Sequence, residues 1–431
     1  MKTIGTYSII AAVLAALGLT ATSLTALNSQ STVSDTTTTS ITASADTTTT
    51  STAKNTSSDY STTVAEVVAS ASASSLLDTS DLFSNRDLKQ EADLEDAQYI
   101  TVADNQTIEI TEAGVYVISG TASNCTIKVN ADGENDKVQL VLNGVSITNT
   151  STPAIYVVSA DKCFITTAEN TTNTLSVTGQ FTADGDTNTD AVIFSKDDIV
   201  LNGLGTLNIN STYGNGISGK DDIKVTGGTY SINCAEDAIE ANDSIRICSG
   251  SFTINSSKDG LHAENDDDDS KGYIYISDGS FNITAKSDGI QGNAFVIIDG
   301  GEFNITSSEG IEGTSLVIND GDITISASDD GLNAATKSLG YEVAITVNGG
   351  SLNITMAQGD TDALDSNGNM YINGGTINIS GQSSFDYDGV GEMTGGDVTV
   401  NGAKVTSIAG MNSFGGGFGG GFGGFGGGRG W

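Results

Sequence analysis

GSFTINSSKDGLHAE at 250–264, GSFNITAKSDGIQGN at 279–293 and GDITISASDDGLNAA at 321–335 share one pattern. Each has a Gly, a strand of alternating apolar and polar residues, an acidic corner and a second short strand. Related copies recur about every 22 residues from near Gly203 to Gly389. A repeat of this length with strict alternation is typical of a solenoid. Stacked coils would bring every copy of the acidic corner into one column.

Three kinds of short strand rotate along the repeats, for example DDIVLNG at 197–203, TLNINS at 206–211 and AIEAN at 238–242. Three strands per coil with Gly or Asp corners predict an all-β fold, a single-stranded parallel β-helix of about ten coils. A β-propeller needs repeats of about 40 residues, and a β-sandwich needs hairpin turns between antiparallel strands. The pattern therefore excludes both.

The chain is strongly acidic, with 54 acidic and 17 basic residues and a formal net charge of −37. Such a surface repels nucleic acids and anionic membranes, so we expect neither as a direct partner. The carboxylates stand at fixed places between strands rich in Ile, Val and Phe. This placement favours a folded, cation-binding surface over disorder.

The predicted organisation has five parts: a signal peptide at 1–27, a Ser/Thr-rich disordered linker at 28–80, an N-terminal cap region at 81–130, the β-helix at 131–408 and a Gly/Phe-rich flexible tail at 409–431. Lys2 and the apolar run from Ile9 to Leu19 indicate export to the extracellular space or the cell surface, with an uncleaved anchor as the alternative. The tail is either a disordered end or a segment for self-association.

The acidic corners and the polar residues three positions later form two predicted columns. The corners are Asp237, Asp259, Asp288, Glu309, Asp330 and Asp362, and the later positions are Glu240, His262, Gln291, Glu312, Asn333 and Asp365. Stacked carboxylates repel each other by roughly 1 kcal/mol each in water. Ca²⁺ would offset this repulsion, because it binds carboxylate, amide and backbone oxygens. The interpretation without a metal is that an Asp-Gly corner is simply a good turn.

Acidic residues are densest in GLHAENDDDDSKG at 260–272 and in GDTDALDSNGN at 359–369. Turn geometry does not require four adjacent acids, so both segments favour Ca²⁺. The predicted metal ligands are Asp237, Glu240, Asp259, Glu264, Asp266, Asp267, Asp268, Asp288, Glu309, Glu312, Asp330, Asp360, Asp362 and Asp365.

The sequence presents no coherent catalytic set. The single His, His262, is expected to be a solvated member of the polar column. A polysaccharide lyase needs a base beside Ca²⁺, usually Lys or Arg, and Arg246 and Lys271 are the residues that this alternative would use. A second alternative is a structural adhesin that assembles through the Phe residues of its tail.

The long phrases GVYVISGT (114–121), LVLNGVSITNTSTPAIYV (140–157) and LDSNGNMYINGG (364–375) resemble a known family. It comprises secreted bacterial carbohydrate-binding domains with a right-handed, pectate-lyase-like β-helix, described from a clostridial protein that binds cellulose and polygalacturonate. The resemblance covers about Tyr99 to Gly389. The rung around Lys337 departs from the family by being less acidic.

The resemblance implies Ca²⁺ sites, mapped onto HAENDDDD and DTDALDSN, and binding of plant cell-wall polysaccharide without catalysis. It places the protein among those that hold cellulose or acidic, polygalacturonate-type glycans. An anionic protein binds an anionic glycan only if cations bridge the two sets of carboxylates. Exposed rings for stacking on sugars are predicted at Tyr273, Tyr275, Tyr371 and Tyr387.

Overall fold

The computed structural model describes residues 76–359 and 361–411, and within these ranges the chain forms one parallel β-helix of 34 strands without a helix. The first half contains β1 (Gln98–Thr101), β2 (Thr107–Ile110), β3 (Gly114–Ser123), β4 (Thr126–Asn130), β5 (Lys137–Asn149), β6 (Ile155–Ser159), β7 (Lys162–Thr167), β8 (Thr172–Val177), β9 (Ala191–Ser195), β10 (Ile199–Gly203), β11 (Thr206–Ser211), β12 (Asn215–Gly219), β13 (Asp222–Val225), β14 (Thr229–Cys234), β15 (Ile239–Ala241), β16 (Ser244–Ile247) and β17 (Ser251–Asn255).

The second half contains β18 (Leu261–Ala263), β19 (Tyr273–Ile276), β20 (Ser280–Thr284), β21 (Asp288–Ile298), β22 (Glu302–Ser307), β23 (Glu309–Ile318), β24 (Asp322–Ala327), β25 (Leu332–Ala334), β26 (Ala344–Val347), β27 (Ser351–Met356), β28 (Leu364–Ser366), β29 (Asn369–Ile372), β30 (Thr376–Ser380), β31 (Phe385–Tyr387), β32 (Gly391–Met393), β33 (Asp397–Val400) and β34 (Ala403–Val405). The pairing between β33 and β34 is antiparallel, and it ends the stack.

The strands pair in three parallel stacks, as the three rotating strand types predict. One coil, for example, supplies β16, β17 and β18, which pair with β19, β20 and β21 of the next coil. The third stack, which carries the polar column, consists of β2, β4, β6, β9, β12, β15, β18, β21, β23, β25, β28 and β31. This stack has twelve strands and therefore twelve coils.

The parallel pairing begins earlier than the predicted start of the β-helix at 131. Strand β1 already pairs in parallel with Tyr116–Ser119 of β3, and β2 pairs with β4. These coils lie in the segment 81–130 that the sequence assigned to a cap. They account for the difference between about ten predicted coils and the twelve observed.

The core is a column of identical or similar side chains, because residues in register on successive coils occupy the same inward position. Tyr230, Phe252, Phe281 and Phe303 stack in the interior, with ring centroids 5.1, 4.8 and 4.6 Å apart. Aromatic pairs at such distances stabilise a core beyond their buried area. The apolar residues of the alternating strands thus form ladders through the interior.

The segment 76–97 lies across the outer face of the stack that contains β16, β19 and the second half of β21, which is called the first stack. Leu82 packs with Tyr273, Tyr275 and Phe295 in a second apolar cluster. Asp87 is completely buried and lies 3.8 Å from the Nζ of Lys224. This segment therefore covers a face that would otherwise be open to solvent.

All four cysteines are free thiols, and Cys234 packs against the core. Among the described residues, no helix is long and apolar enough to cross a membrane. The predicted signal peptide, most of the linker and nearly all of the tail lie outside the described residues.

A candidate cation-binding column

The polar residues of the third stack lie in register on one face of the β-helix. The pairs run Ser218–Glu240, Glu240–His262, His262–Gln291, Gln291–Glu312, Glu312–Asn333, Asn333–Asp365 and Asp365–Asp386. Neighbouring strands of a sheet lie about 4.8 Å apart. The column is thus a row of oxygen-rich side chains at the spacing of the coils, as the repeat predicts.

The acidic corners are joined from coil to coil by hydrogen bonds. The backbone N–H of Asp259 donates to Oδ1 of Asp237, and that of Asp288 donates to Oδ1 of Asp259, both at 2.8 Å. The N–H of Asp362 donates to Oδ1 of Asp330 at 2.9 Å. These corner carboxylates thus hold neighbouring coils together. The turn interpretation had assigned them only a role within the turn of one coil. One oxygen of each carboxylate serves this bond.

Three carboxylates meet at the first of two candidate Ca²⁺ sites, where Asp288, Glu309 and Glu312 bring one oxygen each within 4.8 Å of the others. The Nζ of Lys337 lies 2.7 Å from Oε2 of Glu312. Asn333 Nδ2 donates to Glu309 Oε2 at 2.9 Å. Lys337, which the sequence marked as a departure from the family, therefore supplies one internal positive charge to this cluster.

The second candidate site lies one coil further, around Asp330, Asn333, Asp362 and Asp365. The Nδ2 of Asn333 donates to Glu309 of the previous coil, and Asn333 stands in register with Asp365 of the next coil. The Oδ1 of Asn333 is buried and has no hydrogen-bond partner among the described residues. An unpartnered buried carbonyl oxygen is costly unless a ligand satisfies it. A Ca²⁺ ion is a suitable ligand, because it binds amide and carboxylate oxygens together.

Carboxyl pKa values are raised along this part of the column. Burial, followed by the charges of Asp330 and Asp386, raises the pKa of Asp365 to about 7. Burial is also the main cause that raises the pKa of Asp330 to about 6 and that of Glu309 to about 6. Burial and the neighbouring charge of Asp259 raise the pKa of Asp288. A bound dication would relieve this repulsion and keep the groups ionised.

His262 is not solvated, which corrects the expectation from the sequence. Its side chain is 13% exposed, and its Nδ1 lies 3.5 Å from Oδ2 of Asp237 and 3.6 Å from Oδ2 of Asp259. Burial lowers the pKa of His262, but its interactions with the carboxylates of Asp237, Asp259 and Glu264 outweigh burial, so the pKa is raised. Glu240, the next residue in the column, instead accepts hydrogen bonds from Asn215 and Ser218.

The four adjacent acids of the 260–272 segment do not meet at one point. Asp266 and Asp267 line a pocket of about 250 Å³ together with Glu240 and Glu264. Asp268 instead accepts hydrogen bonds from Ser270 within its own turn. Asp269 accepts from Ser338 Oγ and from the N–H of Leu339. The structure thus separates four acids that the sequence analysis treated as one site. Asp360, a predicted ligand of the 359–369 segment, lies outside the described residues.

Three of the four tyrosines predicted to stack on sugars have no open ring face. Tyr273 and Tyr275 are covered by the segment 76–97. Tyr387 belongs to the core, and its hydroxyl donates to the carbonyl of Ile408 at 2.7 Å. Tyr371 is half-buried and is the one ring of the four that a ligand can reach.

The sequence reasoning missed a third acidic cluster, Asp221, Asp222 and Asp243, at the N-terminal ends of β13 and β16. Burial and the neighbouring Asp243 raise the pKa of Asp221. Arg246 pairs with Asp222 at 2.7 Å, and Lys271 pairs with Asp243 at 2.6 Å. The 22-residue spacing between Asp221 and Asp243 was the available signal. Asp386, which extends the column by one coil, was missed in the same way.

The sequence model of one family, described as carbohydrate-binding domain-containing protein, matches residues 104–389 and also residues 307–412. A protein of Acetivibrio thermocellus with the same description is 39% identical over 127 residues, which is 29% of this chain and 44% of that protein. The matched region thus spans less than half of that relative.

A search of solved structures found the polysaccharide lyase-like protein from C. thermocellum, as a gadolinium derivative. Its sequence identity is 30% and the TM-score is 0.45, over 55% of this chain and 96% of that chain.

Proposed function

The chain belongs to the family of carbohydrate-binding domain-containing proteins, and from this premise we propose that it binds cell-wall polysaccharide through bound Ca²⁺ without cleaving it. The polysaccharide class is cellulose or an acidic, polygalacturonate-type glycan. The protein acts outside the cell or on its surface, in line with the signal peptide expected at 1–27.

The observation that carries the proposal of Ca²⁺ is the buried Oδ1 of Asn333, which has no hydrogen-bond partner among the described residues. Asn333 stands in register with Asp365 on the next coil. An amide oxygen and carboxylates with raised pKa values are an oxygen-only donor set, which is the set that Ca²⁺ prefers. Asp330, Asn333, Asp362 and Asp365 would hold one ion. Asp288, Glu309 and Glu312 would hold another if the ammonium group of Lys337 moves away from Glu312. The ions would neutralise the column.

Charge supports an acidic glycan as the ligand only when cations are present. A chain with a net charge of −37 repels a polyuronate, and two carboxylate sets attract each other once a dication lies between them. The polar residues of the third stack stand in register from coil to coil. A row of cations at the spacing of the coils, each bridging a protein carboxylate and a glycan carboxylate, suits an extended polymer. The partly exposed ring of Tyr371 would add a sugar contact on the neighbouring stack.

The pairing of basic groups supports binding rather than β-elimination. Arg246 is held by Asp222 at 2.7 Å and lies 5.4 Å from the ring centroid of Tyr273, so its guanidinium is engaged in contacts within the protein. Burial and neighbouring cations lower the pKa of Lys224, but this side chain is buried against Asp87. A lyase that acts through Arg246 or Lys271 is the alternative that the experiment must exclude.

The test measures retention of the purified chain on insoluble cellulose and on a polygalacturonate gel, with Ca²⁺ and with chelator. Unsaturated products are followed by absorbance in the same samples. We expect Ca²⁺-dependent retention without new absorbance. Rising absorbance would establish a lyase, and no retention on either polymer would favour the adhesin alternative.

Matched double variants localise the effect. Asp330→Asn with Asp365→Asn removes two charges from the column. Asp278→Asn with Asp320→Asn removes two charges from corners outside the column. Each of these carboxylates accepts the backbone N–H of the following Gly, and an Asn side chain can accept the same bond. The first pair should lose Ca²⁺-dependent retention, and the second pair should keep it. Equal retention by both pairs would contradict this assignment of the site.

A further inference from the structure

One cluster in the column contains a nitrogen ligand. Nδ1 of His262 faces Oδ2 of Asp237 at 3.5 Å and Oδ2 of Asp259 at 3.6 Å. These three ligand atoms lie within 4.8 Å of one another. His262 is the only histidine of the chain, and the two neighbouring coils carry Glu240 and Gln291 at the same position. The cluster therefore differs chemically from the oxygen-only sites further along the column.

The fold fixes both aspartates with one oxygen left for a ligand. Oδ1 of each accepts the backbone N–H of the next corner, at 2.8 Å in both cases. The side chains of Asp237 and Asp259 are 4% and 7% exposed. Both are aimed at the imidazole of His262, whose two nitrogens are buried and have no hydrogen-bond partner among the described residues.

The distances are too long for hydrogen bonds, which span about 2.7–3.2 Å. They fit the edges of a metal tetrahedron. Ligands at about 2.0–2.2 Å from a tetrahedral Zn²⁺ lie roughly 3.4 Å from one another. An octahedral ion with bonds of about 2.1 Å would need ligand atoms roughly 3.0 Å apart. The separations of 3.5 and 3.6 Å thus favour the tetrahedral arrangement.

The other side of the imidazole also faces a carboxylate. Nε2 of His262 faces Oε2 of Glu264 at 3.4 Å. Metal-bound histidines usually donate their second N–H to a carboxylate, which fixes the tautomer and the ring. Glu240 is kept out of the cluster by its hydrogen bonds to Asn215 Nδ2 and Ser218 Oγ, both at 2.8 Å.

We propose that Asp237, Asp259 and His262 form a site for a first-row transition-metal dication of the Zn²⁺ class, separate from the Ca²⁺ sites. Oδ2 of each aspartate and Nδ1 of His262 are three ligands, and the fourth position is open to water or to an oxygen of a bound molecule. Glu264 is a positioning residue that orients the imidazole. The imidazole selects against Ca²⁺, which takes oxygen ligands.

The test uses the full chain stripped of metal with a chelator. Zn²⁺ uptake is measured by titration calorimetry, and the visible spectrum is recorded after Co²⁺ is added. We expect one Zn²⁺ per chain at this site and the intense visible bands of tetrahedral Co²⁺. Absence of Zn²⁺ uptake, or only the weak bands of six-coordinate Co²⁺, would overturn the proposal without reference to any variant.

Single substitutions then test which side chains bind the Zn²⁺ ion. His262→Gln should lose this Zn²⁺ and keep Ca²⁺ uptake, and Gln is the native residue at the same position of the next coil, Gln291. Asp259→Asn should also lose it, whereas the charge-matched Asp278→Asn should not. Glu264→Gln should weaken binding about 10–100-fold, as loss of such an outer partner does. Equal Zn²⁺ uptake by wild type and His262→Gln would overturn the assignment. Because Ca²⁺ uptake and polysaccharide retention are measured separately, either proposal can fail alone.

Discussion

The backbone N–H of Asp259 donates to Oδ1 of Asp237 at 2.8 Å, so the corner of one coil is hydrogen-bonded to the corner of the next. Asn215 continues the same ladder, because its Oδ1 accepts the N–H of Asp237 at 2.8 Å. An Asn and an Asp are thus equivalent as acceptors in this position. The ladder depends on an oxygen at the correct distance from the backbone, and the negative charge is free for another role.

This ladder predicts different effects of two substitutions at Asp237. Asp237→Ala leaves the buried N–H of Asp259 without an acceptor and should cost about 1–3 kcal/mol of unfolding free energy. Asp237→Asn keeps the acceptor and should cost clearly less. Both variants lose the charge that faces His262, so the difference between them in urea unfolding measures the ladder bond. Equal losses would contradict the structural role of the corner.

The interior aromatic stack predicts a large loss of stability for Phe281→Ala. Phe281 is 2% exposed and lies between Phe252 and Phe303, at 4.8 and 4.6 Å. A buried Phe→Ala substitution typically costs about 3–5 kcal/mol. Thermal unfolding should show this loss, whereas Tyr213→Ala, at a residue that is 51% exposed, should leave the midpoint nearly unchanged. A small effect at Phe281 would mean that the coils around it relax to fill the space.

The fold could be predicted from the sequence because its signals are local. Alternation with a period of two, together with a corner every 22 residues, determines which residues point inward, and the Tyr230-to-Phe303 stack follows from it. The burial of Tyr387 could have been predicted by the same reasoning. It is the third residue of β31, the inward position that Ser366 occupies in β28.

The candidate sites could be predicted only in part. Register placed Glu312, Asn333 and Asp365 in one column, because strand pairing in a solenoid follows from the repeat. The burial of Tyr273 depends on Leu82, which lies far away in the sequence and carries no repeat signal. The contact of His262 with both aspartates depends on side-chain rotamers, which periodicity does not determine.

Ring accessibility predicts opposite effects for two tyrosines. Tyr371→Ala should lower retention on polysaccharide and leave the thermal midpoint almost unchanged, because the ring of Tyr371 is partly open to solvent. Tyr387→Ala should lower the midpoint, since its hydroxyl donates to the carbonyl of Ile408 and accepts the N–H of Gly410. Retention and melting curves on the same preparations separate the two effects. Undiminished retention by Tyr371→Ala would exclude that ring as a sugar contact.

The raised carboxyl pKa values predict that the metal-free chain is more stable at pH 5 than at pH 7.5. Asp365 keeps its proton up to a pKa of about 7 when folded, and an unfolded Asp releases it near 3.8. Between these values the folded state binds more protons than the unfolded state, so stability falls as the pH rises. Melting midpoints in chelator should therefore drop from pH 5 to pH 7.5.

Two controls connect this pH dependence to the candidate Ca²⁺ site. The pair Asp330→Asn with Asp365→Asn removes two of the titrating groups, so its midpoint should change less with pH than that of the wild type. The pair Asp278→Asn with Asp320→Asn should retain the wild-type dependence. Ca²⁺ at pH 7.5 should raise the wild-type midpoint, because a ligand that binds only the folded state stabilises it. A wild-type midpoint that rises with pH in chelator would show that repulsion within the column does not control its stability.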